Sequence, residues 1–265
     1  MMTRVIVAMI GFAIVIPILM LGGEHGLQAL ACFVVAVCCD EYAKMAFPKR
    51  RLSAAVALCA IQAVMAATLF FGGVSALPVV VACTWVASFS AVVVVGKGEL
   101  SGRFQDLARL AFGILWIGLL WSLVGLRSLD SGLQWLFLAL VVAWASDSGA
   151  YLVGRRFGRR PLAAAISPKK TWEGFLGGVV TAILAVVWLA SAALPGMPTW
   201  AAACLGLLLS VVGVVGDLAE SLVKRTFGVK DSGRIMPGHG GMLDRIDSVM
   251  FVAPLAYGAG CVLGY

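Results

Sequence analysis

Residues 217–247 read DLAESLVKRTFGVKDSGRIMPGHGGMLDRID, and these 31 positions hold ten of the chain's 33 charged side chains. The acids are Asp217, Glu220, Asp231, Asp244 and Asp247; the bases are Lys224, Arg225, Lys230, Arg234 and Arg245. Apolar runs flank the stretch on both sides, Trp200–Val215 before it and Val249–Gly264 after it. Charges are costly in hydrocarbon, so a polar island between membrane-like runs is either a water-facing loop or a site. Its mixture of acids, bases and glycines points to a site for nucleotide phosphates.

The rest of the chain is apolar. Hydrophobic residues make up 62% of it and charged residues only 12%, with a mean hydropathy of +1.01. Soluble domains do not have this composition, and the expected class is an all-α, polytopic integral membrane protein. Nine spans are expected, at about Val5–Leu21, Leu27–Cys39, Leu52–Phe71, Leu77–Val95, Leu110–Leu126, Leu133–Ala145, Phe175–Ala193, Trp200–Val215 and Val249–Gly264. The second and sixth are short and can lengthen by recruiting Asp40–Tyr42 and Asp147–Tyr151. The first is read as a span rather than a signal peptide because so many others follow it.

Lysine and arginine test this count. Of the 20, Arg127 alone falls on one side of the alternating loops and the other nineteen on the opposite side. Such a split is what the positive-inside rule predicts for a cytoplasmic N-terminus and an outside C-terminus. The polar stretches 147–172 and 217–247 then share the cytoplasmic face. The net charge of +7 is explained by short basic loops beside anionic headgroups, so no nucleic-acid partner is expected. The seven cysteines lie in apolar runs without C-x-x-C spacing and read as small packing residues. The whole of 1–265 is treated as one transmembrane unit, with scaffold spans over about 1–130 and a catalytic part over about 131–265.

If a helix continues out of the eighth span, Asp217, Glu220, Ser221 and Lys224 share one face at i, i+3, i+4 and i+7. Asp244, Asp247 and Ser248 repeat the first part of that spacing as the chain enters the ninth span. Carboxylates on separate helices suit Mg²⁺, which takes hard oxygens and binds through one or two carboxylates together with substrate phosphates. Between them, Gly228, Gly233, Gly238, Gly240 and Gly241 let backbone N–H groups turn toward an anion, and the interspersed Lys, Arg and His239 neutralise phosphate oxygens. Metal-binding acids beside phosphate-binding bases is the arrangement of phosphoryl or nucleotidyl transfer. Mutual neutralisation of neighbouring charges at a wet helix end would explain any single pair, but not the whole set.

A second cluster lies between the sixth and seventh spans. Ser167 before Pro168 reads as an N-cap, which places Lys169 and Lys170 in the first turn of the next helix, against its dipole; an anion would relieve that cost. The four arginines from Arg155 to Arg160 are read as serving topology and headgroups. Asp40, Glu41, Tyr42 and Lys44 read as a solvated helix end. Gly174 and Gly178 read as a helix-packing pair.

These residues carry a family resemblance. The run from Ser221 through Val223-Lys-Arg, Lys230-Asp231, Gly233, Met236-Pro237, His239-Gly-Gly-Met and Asp244-Arg-Ile-Asp247 resembles the signature of the phosphatidate cytidylyltransferases, also called CDP-diacylglycerol synthases. Ser167-Pro-Lys-Lys-Thr-Trp-Glu-Gly174 and the Asp147–Tyr151 segment are similar too, so the likeness covers roughly the C-terminal half. Met236 stands where Leu, Ile or Phe is the family's usual residue, a conservative departure.

The resemblance implies a homodimeric enzyme that converts phosphatidate and CTP to CDP-diacylglycerol and pyrophosphate; the compact single-unit chain points to a bacterial inner membrane, and the basic loops put the site on its cytoplasmic face. It implies Mg²⁺ at Asp217 and Asp244, with a second, monovalent cation such as K⁺ nearby. Lys224, Arg225, Lys230 and Arg245 are implied phosphate holders, and Lys169, Lys170, Ser221, Asp231, His239, Gly240 and Gly241 complete the expected substrate contacts. Lys224 and Asp247 are expected to take part in catalysis beside the two metal ligands. The expected step is direct attack of the lipid phosphate on the CTP α-phosphorus, with no covalent nucleophile; His239 is read as structural or phosphate-binding rather than as a base. Two alternatives stand beside this: another CTP-using membrane lipid transferase such as a polyprenol kinase, and an ion-coupled transporter. The transporter is disfavoured because Gln28 and Gln62, the polar residues inside early spans, are not ionisable.

Overall fold

A computed structural model describes residues 13, 15–72, 82, 86, 99–235 and 240–264. Residues 15–21 are helical and lead into α1 (Gly23–Ala46), followed by α2 (Arg51–Gly72). Next, α3 (Leu100–Gly118) continues through a 3-10 turn, Leu119–Trp121, into α4 (Ser122–Arg127). Then come α5 (Gly132–Phe157), the hairpin β1 (Pro161–Ala163) and β2 (Ser167–Thr171), α6 (Trp172–Ala193), α7 (Thr199–Thr226) and α8 (Leu243–Leu263). Apart from the hairpin and the connecting loops the described chain is helical, and seven of its helical stretches are long and apolar enough to cross a membrane.

These seven correspond to seven of the nine expected spans. The expected fourth span, Leu77–Val95, and most of the first lie outside the described residues. Recruitment of polar residues lengthens the two short spans, since α1 runs through Asp40–Tyr42 to Ala46 and α5 through Asp147–Tyr151 to Phe157. Helices pair up backbone groups that lipid cannot satisfy, which is why the polar ends are drawn into them.

Two apolar cores meet on α8. Tyr42, Leu58, Ile114, Ile117 and Trp116 pack with Leu243 and Met250. On the other side Trp135, Leu138, Val142, Ala182, Val186 and Leu209 pack with Val252, Ala253 and Ala256. Lipid tails are as apolar as these side chains, so close fit rather than water exclusion holds the bundle. Gly174 and Gly178 serve that fit: a Cβ on either would sit 2.8 Å from the Ala150 carbonyl or 2.7 Å from that of Ser146 on α5. Gln62 is structural, donating to the Ile114 carbonyl at 2.9 Å and accepting from Trp121 Nε1 at 2.8 Å. The six described cysteines are free.

The expected helix start at Ser167 is corrected. Ser167–Thr171 is strand β2, antiparallel to β1 with Pro161 opposite Thr171 and Ala163 opposite Ser167. The N-cap of α6 is instead Thr171, whose Oγ1 accepts from Gly174 N–H at 3.2 Å. Glu173 then accepts the N–H groups of Arg159 at 2.9 Å and Arg160 at 3.2 Å, fastening the hairpin to the first turn of α6. Lys169 and Lys170 therefore lie in a strand before the N-cap and not in the first turn of a helix.

Candidate active site

The last three turns of α7 and the first turns of α8 form one charged unit, as the helical spacing predicts. Asp217, Glu220, Ser221 and Lys224 lie on α7, and Asp244 and Asp247 on α8. Lys224 Nζ is the joint: it lies 2.5 Å from Glu220 Oε2 and 2.5 Å from Asp244 Oδ1. Side-chain exposure is 11% for Lys224, 1% for Glu220 and 8% for Asp244, so this is a buried triad with little water to screen it.

The second oxygen of Asp244 is held by backbone and hydroxyl. Asp244 Oδ2 accepts from Gly241 N–H at 2.8 Å, Ser232 N–H at 2.9 Å and Ser232 Oγ at 2.9 Å. Gly240 enters this turn at φ +84°, and a Cβ there would also lie 2.6 Å from Asp244 Oδ2. The polypeptide thus wraps a carboxylate with donors aimed inward.

A second ion pair joins the hairpin to α7, between Lys170 Nζ and Asp217 Oδ2. Asp147 and Asp247 lie within electrostatic reach of Asp217, with Lys170 and, beside Asp147, Arg245 as counter-charges. This cluster borders a cavity of about 410 Å³, lined by Asp147, Tyr151 and Arg155 of α5, Lys169 and Lys170 of β2, and Asp217. That volume is within the range of small-molecule sites.

Other expected residues stand apart. Arg225 is exposed and donates to the Val229 carbonyl at 3.2 Å. Lys230, Asp231 and Arg245 are exposed, Ser221 is half-buried, and among the described residues no hydrogen bond or ion pair ties them to the two carboxylate clusters. His239, Met236 and Pro237 lie outside the described residues.

Glu41 was read as part of a solvated helix end, and the structure corrects this. Asp40 does fit that description, paired with Arg51 at 2.8 and 2.7 Å. Glu41 is only 5% exposed. It accepts from Met242 N–H at 2.9 Å, Leu243 N–H at 3.0 Å and Ser232 Oγ at 3.1 Å, reaching the loop before α8 from α1. Tyr42 is also buried, its hydroxyl donating to the Arg109 carbonyl at 2.7 Å. No local signal announces Glu41, because its partners lie about two hundred positions away.

The donor chemistry fits a divalent cation. Among the described residues no three His, Cys, Asp or Glu side chains converge as an all-protein cage. Mg²⁺ does not need one, since it accepts one or two carboxylates with water and substrate phosphates. Asp217 and Asp244 each meet a lysine ammonium, a cation already standing against the oxygens a metal would take.

The sequence matches the cytidylyltransferase family over residues 2–262. It is 34% identical to the phosphatidate cytidylyltransferase of Staphylococcus haemolyticus over 259 residues, 96% of this chain and 97% of that protein. It is 46% identical to the protein of the same name from Bacillus subtilis over 157 residues, 58% of each chain. The one from Mycobacterium tuberculosis is 38% identical over 163 residues, 61% of this chain and 49% of the relative.

Proposed function

Because the chain belongs to the cytidylyltransferase family, we propose that it transfers the cytidylyl group of CTP to phosphatidate, giving CDP-diacylglycerol and pyrophosphate. One observation carries the reading: carboxylates on two helices, each paired with a lysine, Asp244 buried and Asp217 half-buried at the edge of a cavity lined by further cations. The names of the relatives support phosphatidate as the lipid.

In the proposed step an oxygen of the phosphatidate phosphate forms a bond to the CTP α-phosphorus, and the bond from that phosphorus to the bridging oxygen breaks to release pyrophosphate. Both reactants are anionic, so repulsion and alignment dominate the barrier. Lys169 and Lys170 at the cavity, with Lys224, Arg225, Lys230 and Arg245, hold phosphate oxygens and lower that repulsion. Asp217 and Asp244 would hold Mg²⁺, which when bound neutralises developing phosphate charge, with a monovalent cation such as K⁺ close by. Asp247 supports the acidic cluster from α8. A phosphate monoester is largely deprotonated near neutral pH, so no general base is required.

The same proposal includes nine spans with the N-terminus in the cytoplasm and the C-terminus outside, a site on the cytoplasmic face of a bacterial cell membrane, and a homodimer. The nineteen-to-one distribution of basic residues supports that orientation. CTP then arrives from water while phosphatidate keeps its acyl chains in the bilayer.

The test is transfer of label from α-labelled CTP into lipid by purified protein in detergent–lipid micelles, with and without phosphatidate and Mg²⁺. Labelling that needs both is the expected result. Transfer of γ-label instead would establish the polyprenol-kinase type of reaction. Ion flux through proteoliposomes without CTP turnover would establish transport.

A further inference from the structure

We propose that Glu41, on α1, is a positioning residue for the nucleotidyl-transfer site, setting Asp244 through the start of α8 and through the Ser232 hydroxyl. This rests on the proposed cytidylyltransfer.

The geometry begins with an uncapped helix. The first N–H groups of α8 have no partner within the helix, and its N-cap residue is Met242, whose side chain offers no oxygen. Glu41 supplies the missing acceptors from another helix: Oε1 takes Met242 N–H and Oε2 takes Leu243 N–H, at 2.9 and 3.0 Å. A carboxylate at a helix N-terminus is electrostatically favoured as well. Asp244 is the next residue, so the backbone carrying it is fixed by Glu41.

The second link is Ser232. Its Oγ lies 3.1 Å from Glu41 Oε2 and 2.9 Å from Asp244 Oδ2. One hydroxyl proton serves two carboxylates, so a change at Glu41 alters what Ser232 can give Asp244. The remaining demand is met by backbone N–H groups of Met242 and Leu243 for Glu41, and by those of Gly241 and Ser232 together with the Lys224 ammonium for Asp244. The loop passes close to the acid at two glycines: a Cβ on Gly233 would collide with Glu41 Oε1, and one on Gly241 would meet both Glu41 oxygens at 2.6 Å. All these groups are buried or half-buried, and the donors are aimed at carboxylates rather than at a solvent-facing surface. An N-terminal span thereby contributes directly to the geometry of a C-terminal site.

Glu41→Gln keeps the shape but turns an amide N–H₂ toward backbone donors or the hydroxyl, and Ser232→Ala removes the shared proton. Both variants and the double variant of the full chain are compared by α-label transfer in micelles and by thermal unfolding. The expected result is a fall in kcat of about tenfold or more in each single variant, a KM for phosphatidate within about twofold, and an unfolding midpoint near wild type. The double variant falls no further than about threefold below the less active single, because both variants break the shared Ser232 link. A folded Glu41→Gln protein with wild-type kcat overturns the proposal, as do single effects that multiply in the double variant. If Glu41→Gln does not fold, Ser232→Ala decides, and wild-type kcat in that variant overturns it. Wild-type protein that transfers no label would instead sink the cytidylyltransfer reading.

Discussion

Lys224 Nζ stands 2.5 Å from Asp244 Oδ1, tying the end of α7 to the start of α8 across a turn in which Asp244 is otherwise enclosed by backbone donors. The same ammonium holds Glu220, so one lysine bridges two buried carboxyl groups.

Removing that ammonium leaves Asp244 without its counter-ion and Glu220 without its partner. Lys224→Met is expected to cost about 3–5 kcal/mol of stability, the usual penalty for breaking a buried pair. It should also reduce lipid labelling by about a hundredfold or more. Thermal unfolding and α-label transfer measure the two effects separately. Lys224→Met protein with wild-type stability would show that the triad is not the clasp described.

The turn before α8 makes a prediction about shape alone. Gly240→Ala puts a Cβ at φ +84° and 2.6 Å from Asp244 Oδ2. Left-handed backbone at a non-glycine residue costs about 1–3 kcal/mol, and the carboxylate must shift as well. Activity should fall about tenfold or more while the helices persist by circular dichroism. Unchanged kinetics would mean that Asp244 tolerates displacement.

Helical periodicity made half of this arrangement readable. Asp217, Glu220, Ser221 and Lys224 recur at helical spacing, and α7 does continue to Thr226 with those residues on it. Asp244 and Asp247 were legible for the same reason. The Lys169–Lys170 segment was not, because Ser167-Pro168 has the local chemistry of a helix start while pairing with Pro161–Ala163 and the true cap at Thr171 depend on contacts outside that window. Glu41 was the least legible: a carboxylate at a predicted helix end looks solvated until the loop near residue 240 folds over it. Sequence periodicity reports one helix at a time, and this site is built where three meet.

The Lys170–Asp217 pair predicts a binding defect rather than a folding defect. Both side chains are about a quarter exposed, 26% and 24%, so water screens the pair and its contribution to stability is small. Lys170 also borders the cavity beside Lys169. Lys170→Ala is expected to raise the KM for at least one substrate about tenfold, with an unfolding midpoint within a few degrees of wild type. Steady-state kinetics in mixed micelles read the first and differential scanning fluorimetry the second. A variant with unaltered KM for both substrates would remove Lys170 from the substrate site.

The proposed orientation can be read by labelling. Ala164, in the exposed hairpin turn, and Thr199, at the start of α7, are expected on opposite faces of the membrane. Single cysteines there, in a background without the seven native cysteines, are treated with a membrane-impermeant maleimide on intact cells and on inverted vesicles. Ala164→Cys should react only in inverted vesicles and Thr199→Cys only in intact cells. The reverse pattern would put the site on the outer face, away from CTP.

Divalent-cation dependence tests the two carboxylates most directly. Chelation should abolish label transfer and added Mg²⁺ should restore it, because phosphate charge must be neutralised during the displacement. If Asp217 is a ligand, Asp217→Asn exchanges a charged oxygen donor for a neutral one and should raise the Mg²⁺ concentration for half-maximal rate about tenfold or more. Asp244→Asn should be more severe: its amide nitrogen must face either Lys224 or the Ser232 and Gly241 donors, so it loses geometry as well as charge. An Mg²⁺ titration unchanged in both variants would move the cation elsewhere and leave Asp217 and Asp244 as partners of Lys170 and Lys224 alone.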